Sequence, residues 1–494
     1  MLRDSQPADS APVVLSAGPA AMPAGAPARF GLTGLRWPAL PQPNIRLGTR
    51  SGRVAVALLL FTTLLVVLVA AAGPSVLVPR STMTYPSWMA GPLHSLIPGP
   101  SDNPKAVGIG YSIVLVLMFS AYAVLLGATR TLSVRMVLVA IGVLELILLM
   151  SPPLQLNDVF NYLGYARLGA LHHLNPYTHV IKQEFFDPVY RFSSWHNLRS
   201  PYGPLFSAIT YPLALVSLPV AYWTLKLATV ALSVAFLALV WRCAGQMGRD
   251  QRFALAFVAF NPIFLLYAVG GFHNDFFMLV PSMGAISLLL AGRDRSAGAA
   301  IVIAIAIKFT AVLLLPFLLV AVVTRPRQVR VLSGAALAAV PMIALSLAMF
   351  GLSLPNLVDQ SALLTDFSIP NLVGLLIGVG GGTPVLLKLA DVVVVLVVGH
   401  QILRRKDWMS GAAWSTFALL ASLAWLVPWY VVWLLPLAAL AGSVSLRRVA
   451  IGMTAFLIFA FMPGTGLFFS SQGINLLGSS VGQASRSHQD KLAK

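Results

Sequence analysis

The chain is poor in acids, with 15 Asp and Glu against 33 Lys and Arg, so the placing of each acid carries information. Asp158 follows an apolar run, Val134 to Met150, and has Phe160, Tyr162, Tyr165 and Tyr177 around it, with His172 and His173 nearby. A carboxylate in such surroundings can take a proton from an attacking hydroxyl. The next stretch, Val159 to Ala170, reads as a helix, and Asp is favoured at a helix N-cap. Capping therefore accounts for Asp158 as readily as catalysis does. A second polar group, Gly270-Gly271-Phe272-His273-Asn274-Asp275, interrupts two apolar runs. Lys308 lies inside a further apolar run, where a cation needs a partner or a watery cavity.

What must position these residues follows from composition. The 494 residues are 58% hydrophobic and 10% charged, with mean hydropathy +0.83. A water-soluble chain of this length would expose too much apolar surface. Apolar runs of about 17–22 residues suit a hydrocarbon core of about 30 Å, so an all-α polytopic membrane protein is expected. The short alternating segments of a barrel are absent. The net charge of +18 does not point to nucleic acid, because the basic residues sit between apolar runs, as cytoplasmic loops require. One cysteine, Cys243, excludes an internal disulfide and a Cys-based metal cluster. Residues 1–50, rich in Ala, Pro, Gly and Ser, read as a disordered cytoplasmic arm. No cleavable signal is expected, since the first long apolar run, Val54 to Gly73, starts late and is long enough to span.

Spans are expected at 54–73, 107–127, 134–150, 221–242, 253–269, 275–292, 331–350, 384–403, 411–427, 429–442 and 448–463. Arginines in the arm put its end inside, Arg130 and Arg135 lie inside, and residues 151–202 fall outside. Arg242, Arg249 and Arg252 should again be inside, so only one of 203–219 and 221–242 crosses. Pro204, Pro212 and Pro219 make 203–219 a helix lying along the outer surface. Arg293 and Arg295 precede 297–323, and Arg325, Arg327 and Arg330 follow it. Both ends are then cytoplasmic, and two short arms with Lys308 near their tip satisfy the charges. The total is about thirteen segments with the C-terminus outside, although Arg486, Lys491 and Lys494 pull weakly the other way.

This topology gathers polar residues on the outer face. The 151–202 loop brings Asn157, Asp158, Lys182, Glu184, Asp187, His196 and Arg199. The His273-Asn274-Asp275 turn lies at the same level, loop 351–370 adds Asp359, Gln360 and Asp366, and Lys308 approaches from below. Acids, cations and rings converging at a membrane surface suit a sugar phosphate carried on a lipid. Trp425, Trp429, Tyr430 and Trp433 cluster at another outer turn, where such residues more often form an interfacial belt than a sugar site. Lys388 and Asp391 read as a buried structural ion pair. Glu145 is as readily a packing hydrogen bond as a functional acid. His273 and Asp275 make too weak a motif for a metal site.

Three segments, "NDVFNYLGYARLGALHHLNPY", "SPYGPLFSAITYPL" and "NPIFLLYAVGGFHNDFFML", together resemble the actinobacterial polyprenyl-phosphate-mannose-dependent α-1,6-mannosyltransferases of the membrane glycosyltransferase C superfamily. "AIAIKFTAVLLLPFLL" resembles the Lys-bearing broken helix of that superfamily. The resemblance covers roughly residues 134–440. It implies a GT-C catalytic membrane core at 134–463, preceded by two additional helices in 51–133 and followed by a tail at 464–494. It also implies an inverting transfer of mannose from polyprenyl-phosphate-mannose to a lipid-linked mannan acceptor, as in lipomannan or lipoarabinomannan, outside the cytoplasmic membrane. On that resemblance Asp158 would be the general base, and Arg199 and Lys308 would pair with the phosphate. His273, Asn274 and Asp275 would position donor or acceptor, Tyr162 and Tyr202 would frame the pocket, and Asn157 would bind substrate. No nucleotide or cofactor is called for, and metal dependence stays open. Asp158 follows "PPLQLN" where the family pattern leads to a more polar stretch. The alternatives are transfer of another polyprenyl-phosphate-linked sugar, and a transporter or lipid flippase. Against the second stand the absence of an internal repeat and charges that lie outside the membrane's midplane.

Overall fold

The computed structural model describes residues 48–78, 85–99, 103–155, 158–355, 357–404 and 407–493. Of the expected arm only residues 48–50 fall among these, and Asn157 lies outside them. Among the described residues all regular structure is helical.

Helix α1 (Thr49–Ala71) packs beside α2 (Pro104–Ala128). Asn103 starts α2 by accepting from the backbone N–H groups of Lys105 and Ala106, with a proline at the first turn, the arrangement expected of a helix N-terminus. Ser133 caps α3 (Val134–Leu149) in the same way. The segment that follows carries α4 (Val159–Ala170), α5 (Pro204–Thr210) and a 3₁₀ continuation, Tyr211–Leu215. Then come α6 (Leu218–Gln246), α7 (Gln251–Ala259), α8 (Asp275–Leu290), α9 (Asp294–Ile307), α10 (Leu315–Ala321) and α11 (Arg325–Phe350). Helices α12 (Pro384–Arg404), α13 (Trp408–Ser422), α14 (Val431–Leu440), α15 (Val444–Phe461) and α16 (Ser480–Ala493) complete the chain.

Among the described residues six helices (α1, α2 with the turn after it, α6, α11, α12 and α15) are long and apolar enough to cross a membrane. The chain is a multi-pass membrane protein. Six is fewer than the thirteen expected segments: runs 134–150, 275–292 and 411–427 form unbroken but shorter helices of 16, 16 and 15 residues, and the others are interrupted. Run 253–269 is split where Asn261 and Pro262 separate α7 from a π-helical turn, Phe264–Val269. Run 429–442 becomes a 3₁₀ turn, Pro428–Tyr430, and the ten-residue α14. Run 297–323 breaks at Lys308, whose backbone is extended at φ −149°, ψ 117°. Proline and unwound turns shorten these elements without making them polar.

The two-arm reading of 297–323 matches the local geometry. At one end Asp294 receives Arg327 at 2.7 Å and Arg330 at 3.0 Å, joining the start of α9 to the start of α11. At the other end Lys308 meets the start of α8 through Asp275. Gly298 and Gly334 let α9 and α11 approach until backbone meets backbone: a Cβ at either would lie 1.9 Å from a carbonyl oxygen of the other helix.

Two intramembrane expectations separate here. Glu145 accepts a hydrogen bond from the Ser233 hydroxyl of α6, the packing role. Lys388 and Asp391 do not form a buried pair. No residue of α12 is buried, both side chains are exposed, and no ion pair joins them. Spacing of three places two residues on one helix face, but only packing decides whether that face turns inward.

The 151–202 loop is tied down by its polar side chains. Asn161 accepts from Ser194 N and donates to Trp195 O, and the Tyr165 hydroxyl donates to Leu198 O. Arg167 donates to both oxygens of Asp187, at 2.8 and 2.9 Å, and His172 Nε2 lies 2.9 Å from the same carboxylate. Burial alone would raise the Asp187 carboxyl, yet the bonds from Arg167, His172 and the Val189 N–H hold it below its ordinary value of 3.8. Its stabilising contribution is therefore complete above pH about 4 and is lost as pH falls through the lowered folded value. Asp187→Ala is expected to cost about 2–3 kcal/mol near neutral pH, since it strands a partly buried guanidinium. Thermal melts of detergent-solubilised protein should show that gap closing below pH 4.

The C-terminal helix α16 docks on this loop. Asn197 donates from its backbone to Leu492 O and from its side chain to Lys491 O, both at 2.9 Å, and Leu492 packs with Leu198 and Leu363. The tail thus lies on the face that carries residues 151–202.

Candidate active site

Asp158 is placed by two anchors. Leu154, just before it, donates its N–H to Gly270 O at 2.9 Å, which ties the start of the 151–202 loop to the Gly270–Asp275 turn. Helix α4 then begins at Val159. Asp158 occupies the N-cap position, but its side chain makes no capping hydrogen bond. The capping explanation is removed. The carboxylate instead lies 22% exposed, with Oδ2 3.7 Å from Nδ1 of the buried His273.

The turn facing it is tightly specified. A Cβ at Gly270 would lie 2.6 Å from Leu266 O and 2.7 Å from the Leu154 side chain, so the loop and turn meet only at glycine. Phe272 sits at φ 55°, a left-handed conformation that costs a residue with a side chain of order 1 kcal/mol or more. Its ring is held edge-on by Tyr222 and lies 4.7 Å from Lys226 Nζ. The strained residue turns the next three toward the 151–202 loop. The His273 ring stacks on Trp429 at 3.6 Å and 10°. Asn274 donates its backbone N–H to the Tyr162 hydroxyl at 3.1 Å.

Asp275 opens α8 and is fully buried. Its Oδ1 accepts from Lys308 Nζ at 2.9 Å and from Trp433 Nε1. Lys308 Nζ lies 5.0 Å from the centroids of both Tyr430 and Trp433, close enough for cation–π attraction. At the start of α8, Asp275 Oδ2 and Asn274 Nδ2 are buried without a hydrogen-bond partner among the described residues. Native interiors rarely leave such atoms unpaired, and groups that await a ligand are one reason they do.

The Pro201–Pro204 segment closes the site from the side of the broken helix. Gly203 donates its N–H to Ile307 O at 3.1 Å, and a Cβ there would lie 2.2 Å from Ala306 O. The chain thereby satisfies a carbonyl freed where α9 ends and holds Tyr202 beside Tyr162, ring centroids 4.8 Å apart. Burial first, then the charges of Asp158 and Asp275, keep the Tyr162 phenol well above its ordinary range, and burial and Asp158 do so for Tyr202. Both remain protonated hydroxyls. Gly203→Ala must push this segment off the break. We expect folding to survive a cost of about 1–3 kcal/mol and turnover to fall at least about tenfold, because displacements near 1 Å cost rates of that order or more; circular dichroism and steady-state rates on the same preparation check both.

The structure therefore brings together Asp158, Tyr162, Tyr202, His273, Asn274, Asp275 and Lys308. It does not bring Arg199 to them. Arg199 is half exposed and lies 3.7 Å from Asp359, next to the docked α16. No group of three His, Cys, Asp or Glu side chains placed for a metal occurs among the described residues.

Three aromatics belong to the site rather than to an interfacial belt: Trp429 under His273, and Tyr430 and Trp433 around Lys308. Their density in "WLVPWYVVW" was the available signal, and a belt shows the same density. Lys226 went unremarked in the sequence. It is fully buried below the turn, with Nζ 4.7 Å from the rings of Trp223 and Phe272 and no hydrogen-bond partner among the described residues.

Similarity to known proteins fits this arrangement. A family model described as "Alpha-(1->6)-mannopyranosyltransferase, N-terminal domain" matches residues 58–324, and glycosyltransferase family 87 matches residues 201–458. Alpha-(1->6)-mannopyranosyltransferase A of Mycobacterium tuberculosis is 26% identical over 353 residues, 64% of this chain and 67% of that protein. Alpha-(1->6)-mannopyranosyltransferase B of Corynebacterium glutamicum is 23% identical over 429 residues, 73% of this chain and 69% of that one. The A protein of the same organism is 29% identical over 178 residues, 34% of this chain and 35% of its own length. No solved structure matches significantly. The first match takes in more than half of the 494 residues and ends beyond Lys308, so Asp158, the His273 turn and the broken helix all fall inside it: the chain belongs to the alpha-(1->6)-mannopyranosyltransferase family, membrane mannosyltransferases of the GT-C class.

Proposed function

We propose that this mannosyltransferase takes mannose from polyprenyl-phosphate-mannose and adds it, with inversion, to a lipid-linked α-1,6-mannan acceptor on the outer side of the cytoplasmic membrane. The observation that carries the reading is the continuous polar group from Asp158 through His273 to Asp275 and Lys308, with unpaired Asp275 Oδ2 and Asn274 Nδ2 inside it. Asp158 is the general base. It removes the proton of the acceptor hydroxyl as that oxygen attacks the anomeric carbon. The bond from that carbon to the phosphate oxygen breaks, and polyprenyl phosphate leaves with the electron pair. Lys308 spends one N–H on Asp275 and keeps others for the leaving phosphate, whose charge grows in the transition state. The unpaired oxygen and amide of Asp275 and Asn274 bind sugar hydroxyls, and the Trp429–His273 stack with Tyr162 and Tyr202 forms the wall. Nothing in this scheme calls for a nucleotide, a cofactor or a metal.

The same reading orders the membrane path. Thirteen segments, counting α9 and the Phe309–Ala321 return as two, put the 151–202 loop, the Asp275 end of α8 and the docked α16 on the extracytoplasmic side. The positive loops then lie in the cytoplasm.

The test is transfer by purified protein in detergent, with radiolabelled polyprenyl-phosphate-mannose and a short α-1,6-mannoside. A product one mannose longer is expected. Product only with a different polyprenyl-phosphate sugar would overturn the donor, and lipid movement without a new glycosidic bond would return the transporter reading.

A further inference from the structure

Helix α12 is anomalous for a helix that can span a membrane. It has 21 residues, mean hydropathy 2.0 and no buried residue. Its contacts are with α13 and little else, so most of its circumference faces outward. Apolar residues there are at home in lipid: Val385, Leu389, Val392, Val395 and Leu396 are all more than half exposed. Lys388 and Asp391 are not. Both are exposed on the same face, and neither has a hydrogen bond or ion pair.

Depth separates the two charges. Lys388 lies one turn from the Pro384 end and its stem can reach the interface. Asp391 lies about 10 Å further along than that end and about 20 Å from Arg404, at 1.5 Å per residue. A carboxylate has a short stem and cannot escape from there. Ionisable groups at such depth in native membrane proteins pair with something.

We infer that this face of α12 is the contact surface with a second copy of the chain. The argument for that occupant is charge complementarity. The face carries one cation and one anion and is thus complementary to itself. Two copies in one membrane share orientation, so their twofold axis stands along the membrane normal and their α12 helices run parallel. Lys388 of one copy then faces Asp391 of the other, offset by three residues or about 4.5 Å along the axis, which a lysine stem spans. The twofold axis makes the contact twice. Gly399, which has open space at its Cβ position, lies three turns below Lys388 on the same side and allows the helices to close.

The experiment uses the full-length protein in lipid nanodiscs and in native membranes. Particle mass should report a dimer for the wild type. Val392→Cys, beside the only other thiol in the chain, the buried Cys243, should give a disulfide-linked dimer on mild oxidation. Lys388→Asp should lower both the dimer fraction and the cross-linking at least tenfold, because two acids then face two acids. The exchange Lys388→Asp with Asp391→Lys should restore both. A monomeric wild type would overturn the inference. So would a dimer that ignores Lys388→Asp, or cross-linking of Val392→Cys to a different protein. Since the swap rebuilds the same pair with reversed sense, its recovery separates loss of pairing from loss of folding.

Discussion

Asp158→Asn should leave a folded, membrane-inserted protein that transfers at most about a thousandth as much mannose as the wild type. A positioned general base contributes about 10²–10⁴ in rate, and an amide of the same shape cannot accept the proton. Stability should change little. The Asp158 side chain caps nothing, and the His273 ring nitrogen lies 3.7 Å from it, too far for a hydrogen bond. That pairing of outcomes is what makes the variant informative. A helix cap replaced by Asn keeps its function, as Asn caps as well as Asp, so a purely local role predicts normal transfer. Substantial residual turnover at saturating donor and acceptor would therefore remove Asp158 as the base. Asp158→Ala adds a control: if the carboxylate acts only as a base, Ala and Asn should fail alike, with similar donor KM.

How much of this was legible before the structure depends on how a residue stood out. In an apolar chain an acid or a His-Asn-Asp turn is conspicuous, and so Asp158 and Asp275 were visible with no knowledge of their contacts. The charge parity on either side of 297–323 was enough to fold that stretch back on itself, and the Asp294–Arg327 and Asp275–Lys308 pairs lie at its two ends. Arg199 lies beside Asp359, which belongs to a distant loop, and not beside the other expected site residues. Proximity in the 151–202 loop said nothing about direction. Lys226 was hidden within a 29-residue apolar helix, where one cation scarcely disturbs the hydropathy. For Lys388 and Asp391 the spacing was read correctly and the facing wrongly, since an all-round apolar helix has no moment to say which side turns inward. Fold and site were thus readable to the extent that polarity was rare. Partner choice among aromatics and arginines was not.

Lys308 carries the second large effect, and its two roles can be pulled apart. Lys308→Met keeps the stem and deletes the ammonium. It should raise the donor KM and lower kcat, together at least about a hundredfold in kcat/KM, if the charge meets the leaving phosphate. It also strands Asp275, a fully buried carboxylate whose Oδ2 already lacks a partner. Removing one member of a buried pair costs about 3–5 kcal/mol, so the single variant should lose thermal stability as well as activity. Adding Asp275→Asn neutralises the orphaned acid and can still accept from Trp433. The double variant should recover much of the lost stability, because replacing both members of a buried pair is far cheaper than removing one. Its transfer rate should stay low. Stability regained without activity, where Asp275→Asn alone keeps transfer, places Lys308 at the phosphate. Stability and activity regained together would mean that the lysine serves only to hold Asp275, and the counter-charge for the leaving group would have to come from elsewhere in the site.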